Sequence, residues 1–251
     1  MHPVSLRLEA LRLLDSGLSL HAVSGRLQVS RAAIRDWRDH GVEPHGGSGT
    51  DCFVCEAADP QDAAAYASLL GYYLGDGCIS RMGRTEALRV SCDRTLPGIV
   101  DDVTSVMAAV HPGGRVGHVR APGVTVVKGY WKHWPCLFPQ HGPGRKHERT
   151  LVLEPWQREI VEAHPADFLR GLFHSDGCRV NNWTTRMVGG RKKRYDYPRW
   201  QFVNVSEDIL GFCTEALDLL AIPWRRSRWN CISVSTRAGV ARLDEVIGPK
   251  S

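Results

Sequence analysis

The sequence predicts an α+β chain: a domain of two related αββαββα halves, preceded by a small all-α domain. Three observations carry this. The octet Leu70-Gly71-Tyr72-Tyr73-Leu74-Gly75-Asp76-Gly77 recurs as Arg170-Gly171-Leu172-Phe173-His174-Ser175-Asp176-Gly177. The segments after each copy alternate strand-like and helix-like runs in one shared order. Ahead of both, residues 4–40 read as three short helices with clear start and stop signals.

In that N-terminal stretch Leu6, Leu8, Leu11 and Leu14 fall near helical spacing, so the first helix runs from about Val4 to Leu14. Ser16-Gly17 ends it, and Ser19 is an N-cap for a second helix over Leu20 to Leu27. A tight turn at Gln28-Val29 leads to Ser30, a further N-cap. The third helix runs to about His40 and stops at Gly41. Ile34 and Trp37 face a core, while Arg31, Arg35 and Arg38 share one helix face. The layout of "GLSLHAVSGRLQVSRAAIRDW" resembles the helix-turn-helix of recombinases, transposases and small repressors. The resemblance implies a third helix in the major groove with Arg31, Arg35 and Arg38 as readers. A plain three-helix bundle with a solvated basic face is the alternative. Gln28 departs from the pattern, standing where a glycine often occupies the turn.

Residues 42–60 read as a linker, separating a domain at 1–41 from one at 61–251. Gly46, Gly47, Ser48 and Gly49 give it flexibility, and Pro44 and Pro60 punctuate it. Cys52 and Cys55 within it form a C-x-x-C pair, half of a zinc knuckle; His133, Cys136, His141 and His147 are the remaining candidates, at no standard spacing. Zn²⁺ there, and with it a structural or RNA-processing module, is the weakest of three functional readings.

The large domain divides into halves at about 61–140 and 150–251. After the first octet come "ALRVSC", helix-like "LPGIVDDVTSVMAAV", then "GRVGHVR" and "GVTVVKGY". After the second come "RWQFVNVS", helix-like "SEDILGFCTEALDLLAI", "WRRSRW", "CISVST" and helix-like "AGVARLDEVI". The run Gly190-Arg191-Lys192-Lys193-Arg194 reads as a loop that contacts phosphates. The stretch "HWPCLFPQHGPGRKHER" reads as a structured loop between halves, with Arg145, Lys146 and Arg149 near backbone phosphates.

The two octets resemble the LAGLIDADG motif of DOD-type homing endonucleases in their single-chain form, through Gly71, Asp76, Gly77 and Gly171, Asp176, Gly177. "GPGRKHERTLVLEPWQREIVEAHPADFLRGLFHSDG" is similar to the approach to the second motif in intein-type members. The resemblance covers about residues 61–248. It departs at Leu74 and His174, where the name motif has its first acid. It implies a pseudo-twofold saddle and Mg²⁺-dependent cleavage of double-stranded DNA by a monomer acting as a pseudo-dimer. Gly71 and Gly171 would let the motif helices pack closely. Asp76 and Asp176 would meet at the helix C-termini, where helix dipoles and mutual repulsion disfavour them unless a divalent cation intervenes. Gly75 and Ser175 would add backbone carbonyls to that metal. Lys128 is the candidate for stabilising charge during cleavage. Strand alternation nominates Arg89, Lys128, Arg199, Gln201, Arg225 and Arg228 for the DNA face. A DNA-binding transcriptional regulator that has kept the saddle and lost cleavage is the alternative; such regulators tend to lose the motif acids, and both are present here.

Composition agrees with a folded, DNA-binding chain. The 251 residues are 43% apolar and carry a formal net charge of +5, and the pI is about 8.8. The basic residues are mostly arginine, suited to phosphates and guanine edges, although a GC-rich genome gives the same bias. No apolar run is long enough to span a membrane, and repeated charges in residues 1–15 argue against a secretory signal, so the expectation is a cytoplasmic protein with reduced thiols. The N-terminal helices, and the lack of a splicing residue or a terminal His-Asn, argue for a free-standing product over an intein.

Overall fold

The computed structural model of the chain describes residues 4–40, 52–248 and 250. The chain divides after Glu56 into two compact units. The first holds α1 (Val4–Asp15), α2 (Leu20–Leu27), α3 (Arg31–His40) and the single turn α4 (Phe53–Glu56). The expected caps form: Ser19 Oγ accepts from the Ala22 N–H at 3.3 Å, and Ser30 Oγ from the Ala33 N–H at 3.2 Å. Ala10, Val23, Val29, Ile34 and Trp37 make the core, walled by the leucines of α1 and α2. Gln28 adopts a left-handed φ of 54°. The turn thus needs the backbone that glycine usually supplies, and Gln28 offsets the strain by donating its Nε2 to the Gly25 carbonyl at 2.7 Å. The Pro44 and Gly46–Gly49 part of the linker lies outside the described residues, and its later part contains the helical turn α4.

The second unit runs α5 (Ala63–Leu74), β1 (Gly77–Met82), β2 (Thr85–Asp93), α6 (Pro97–Val110), β3 (Val116–Ala121), β4 (Val124–Tyr130), α7 (Trp134–Leu137), a 3₁₀ turn at Lys146–Glu148, α8 (Pro155–Ala163), α9 (Pro165–Asp176), β5 (Gly177–Val188), β6 (Arg191–Val203), α10 (Glu207–Leu219), β7 (Arg225–Arg228), β8 (Cys231–Val234) and α11 (Arg237–Ile247). Two four-stranded antiparallel sheets result, ordered β1-β2-β4-β3 and β5-β6-β8-β7. The same order in both is the two-half α+β architecture the repeat predicts. Each sheet buries one face on helices: Val90, Leu88 and Val127 in the first, Trp200, Phe202 and Ile232 in the second.

The halves meet along α5 and α9. A Cβ added to Gly71 would collide with the backbone carbonyl of Phe168, and one on Gly171 with that of Ser68; each would lie 3.0 Å from the opposite glycine's Cα. Only hydrogen at these positions permits so close a crossing. A second tie is polar. Tyr72 Oη donates to Asp102 Oδ2 at 2.6 Å, and Arg170 grips the same carboxylate through Nη2 at 2.8 Å and Nε at 3.2 Å. His174 Nδ1 lies 2.6 Å from Tyr72 Oη. Burial works against the Asp102 charge, but hydrogen bonds from His174, Arg170 and Tyr72 hold its carboxyl well below the usual range.

One expectation is corrected. The run Gly190–Arg194 is not a loop: β6 begins at Arg191, and Val188 pairs directly with Arg191. Gly189 and Gly190 have φ of 58° and 75°, the positive pair that a two-residue hairpin turn requires, so strand pairing continues right up to them. Among the described residues, no helix is long and apolar enough to cross a membrane.

Candidate active site

α5 ends at Leu74, capped by Gly75, and Asp76 follows; α9 ends on Asp176 itself. Because the glycine pair seats the two helices against each other, their C-terminal ends converge. Burial raises the Asp176 carboxyl to about 6, and the charge of Asp76 pushes the same way. A hydrogen bond from Asn204 Nδ2 at 2.8 Å and the ammonium groups of Lys146 and Lys250 pull it back only partly. Burial raises Asp76 as well, again against Lys146 and Lys250. Asp176 thus feels the charge of Asp76, and burial raises both carboxyls above their ordinary range.

Two lysines cap the helix ends in parallel fashion. Lys146 Nζ donates to the carbonyls of Leu74, Gly75 and Gly77 at 2.8, 2.8 and 2.9 Å, and also to that of Tyr73. Lys250 Nζ donates to Phe173 and Gly177 at 3.2 and 2.6 Å, the equivalent carbonyls of the second motif. Burial lowers the Lys146 ammonium to about 8, with Asp176 and Asp76 supporting its charge. Burial lowers Lys250 too. Lys146 is delivered by the segment after α7, which a buried amide network fixes to α5. Tyr66 Oη donates to the Leu137 carbonyl at 2.6 Å, Gln157 Nε2 to Tyr66 Oη at 2.7 Å, and Gln140 Nε2 to Gln157 Oε1 at 2.6 Å.

Two clefts open onto the carboxylates. One of about 540 Å³ is lined by Gly75, Lys146, Arg149, Asp176 and Asn204. One of about 190 Å³ is lined by Asp76, Ser175, His174 and Lys250. The donors here are hard oxygens: two carboxylates and, at Ser175, a buried hydroxyl with no hydrogen-bond partner among the described residues. Such a set fits Mg²⁺ in its chemistry. The Gly75 carbonyl already accepts from Lys146, so a cation using it must share it or displace the ammonium.

The other sequence candidates distribute as follows. Strand register puts Cys78, Arg89, Lys128 and Gly117 on the face of the first sheet that is turned away from α6. Lys128 lies over the Tyr130 ring at 5.3 Å; the ammonium groups that act on Asp76 and Asp176 are those of Lys146 and Lys250. In the second sheet Gln201, Arg225 and Arg228 share the open face. Arg199 shares it too but is 9% exposed, its Nε donating to Ser233 Oγ at 2.5 Å. That burial removes most of its capacity to reach a groove. In the first unit Arg31, Arg35 and Arg38 are exposed along α3, Arg38 pairing with Asp39. Cys52 is buried and Cys55 exposed around α4. In the second unit Cys136 Sγ and His133 Nδ1 lie 3.6 Å apart. Lys250 and Asn204 escaped the sequence reading. Their only signal was a basic residue and an amide outside any motif.

Residues 1–44 match the family described as Homeodomain-like domain. A search of curated proteins finds no match. Among solved structures, I-DmoI in complex with DNA and Mn is similar at 12% identity, covering 74% of this chain and 98% of that one, with a TM-score of 0.47. The N-terminal LAGLIDADG domain of DUF199/WhiA is similar at 16% identity, covering 80% and 90%, with a TM-score of 0.47. The LAGLIDADG meganuclease I-AabMI bound to uncleaved DNA is similar at 12% identity, covering 72% and 82%, with a TM-score of 0.44.

Proposed function

We propose that the chain binds double-stranded DNA in a sequence-specific manner and hydrolyses its phosphodiester bonds with Mg²⁺ at Asp76 and Asp176. The observation that carries this reading is the carboxylate pair: two desolvated acids, both raised by burial and Asp176 raised further by the charge of Asp76, at the meeting point of two motif helices. A fold keeps such a pair against its own stability when the pair has a cation and a reaction to serve. A divalent cation held by Asp76 and Asp176 would supply an activated water and offset the charge of the scissile phosphate. The chain's own residues do the rest. Asn204 orients Asp176. Lys146 and Lys250 hold positive charge beside the carboxylates, where a pentavalent phosphate accumulates negative charge. Arg89, Lys128, Gln201, Arg225 and Arg228 on the open sheet faces would contact the duplex, and Arg31, Arg35 and Arg38 of α3 would add a second contact.

One observation favours a second reading. Lys146 already sits on the α5 carbonyls beside both acids and itself supplies the positive charge the site lacks. A protein that binds DNA without cutting it, a transcriptional regulator, needs no more than that. The test is to enrich a duplex from a random library with the full chain, then incubate it with Mg²⁺ or with EDTA. Cutting only in Mg²⁺ supports the nuclease; tight binding with no cutting in Mg²⁺ or Mn²⁺ leaves the regulator.

A further inference from the structure

The two halves share one topology but not one outline. The β1–β2 hairpin has six residue pairs, from Gly77↔Val90 to Met82↔Thr85. The β5–β6 hairpin has twelve, from Gly177↔Phe202 to Val188↔Arg191. The third strand of that sheet, β8, reaches only as far as Trp200, so the nine pairs from Val180↔Arg199 outward form a bare two-stranded ribbon. A lone two-stranded ribbon is marginal in water, and beyond Arg199, which Ser233 of β8 still holds, most residues of this one are exposed.

Alternation sorts its side chains into two different faces. Trp200 and Phe202 are buried against the helices, and their register partners Arg179 and Gly177 share that side. Continuing outward, this side carries Trp183, Met187, Lys192, Arg194 and the ribbon's one acid, Asp196. Arg194 is paired with Asp196 at 2.6 Å and lies over Trp183 at 5.2 Å. The opposite side continues the open face of Gln201. It carries Arg186, Arg191 and Lys193, with Asn182, Thr184 and two tyrosines, and no acid. The ribbon's unpaired positive charge is therefore concentrated on the side that extends the open sheet face.

We propose that this ribbon is an additional DNA-binding arm that lies in the major groove beyond the second sheet, so that the protein's footprint is longer on that side. The major groove admits a two-stranded β-ribbon, and arginine with asparagine on one side of it is the chemistry of groove and phosphate contact. The six additional pairs add about 20 Å at about 3.3 Å per residue. That is about six base-pair steps of B-DNA at about 3.4 Å each. The inference rests on the reading that the open sheet faces bind DNA.

The experiment compares three full-length proteins by hydroxyl-radical footprinting and salt-dependent affinity on a duplex enriched by the wild type. One variant carries Arg186→Ala, Arg191→Ala and Lys193→Ala; the control carries Lys192→Ala and Arg194→Ala on the other side. Circular dichroism and thermal melting confirm that both variants fold. The expected result is that the first variant loses protection over about six base pairs at one end only and lowers the log–log salt slope by about 2 to 3, at about 0.9 per phosphate contact. The control keeps the full footprint. A footprint of equal reach on both sides in the wild type, or equal losses in both variants, overturns the arm. Absence of any footprint in the wild type overturns the DNA reading itself, and the arm falls with it.

Discussion

Replacing Asp176 with asparagine should stabilise the cation-free protein at neutral pH, although it removes a proposed catalytic group. The carboxyl is raised from 3.8 to about 6 in the folded chain, first by burial and then by Asp76. At about 1.4 kcal/mol per unit, that shift corresponds to about 3 kcal/mol of stability withheld when the group is ionised. Two effects reduce the gain. Asparagine also removes the charge that supports the buried Lys146 ammonium, and the site is partly open to solvent. The net gain should be about 1–2 kcal/mol. The sign follows from the direction of the shift. A carboxyl raised on folding contributes stability that is present below its unfolded value and is lost as pH rises through about 6. The variant's advantage should therefore be close to zero near pH 4 and reach a plateau above about pH 7. Urea unfolding of both proteins in EDTA across that range, followed by tryptophan fluorescence, measures it. Millimolar Mg²⁺ should then stabilise the wild type and leave the variant unmoved. A variant that is less stable at pH 8 without cation, or whose difference from wild type does not change with pH, would refute the argument that this pair is held against its own electrostatics.

Other predictions follow from the same geometry. Gly171→Ala puts a Cβ into the Ser68 carbonyl and should lower stability in urea unfolding by about 3 kcal/mol or more. Gly211→Ala on α10, where an added Cβ meets nothing within 4 Å, should raise it by about 0.5–1 kcal/mol. Lys146→Gln should keep DNA affinity in filter binding within a few fold but slow cutting by about 100-fold, the loss of one charge-stabilising donor; unchanged cutting would remove Lys146 from the reaction. The triple change Arg31→Ala, Arg35→Ala, Arg38→Ala should lower the full chain's DNA affinity and reduce its salt slope, whereas an unaltered slope would leave α3 out of the interface.

Much of this was legible in the sequence because its causes are local. The Ser19 and Ser30 caps act within one turn, so the N-terminal helices fall where they were expected. The Gly71/Gly171 and Asp76/Asp176 pairs declare themselves because they recur in the same octet. What was hidden depends on contacts far apart in the chain. Lys146 reaches carbonyls about seventy residues earlier, through a loop whose course is set by the buried Tyr66–Gln157–Gln140 amides. Lys250 and Asn204 carry no spacing signal at all. Arg199 reads as a groove residue by alternation, yet Ser233 on the neighbouring strand holds it flat, and only the register reveals that. β5 was missed because "NNWTTRM" has no clean apolar alternation: Trp183 and Met187 share their side with Asn181 and Thr185, and no layer covers either.

The central claim is that Asp76 and Asp176 form one Mg²⁺-dependent site for cutting duplex DNA. The most direct measurement is Mg²⁺-dependent cleavage of the enriched duplex by the wild type and by the Asp76→Asn, Asp176→Asn double variant, with affinity measured in parallel. The account predicts that both proteins bind the duplex comparably and that only the wild type cuts. Equal cutting by the two proteins, or no cutting by a wild type that binds tightly, would contradict it.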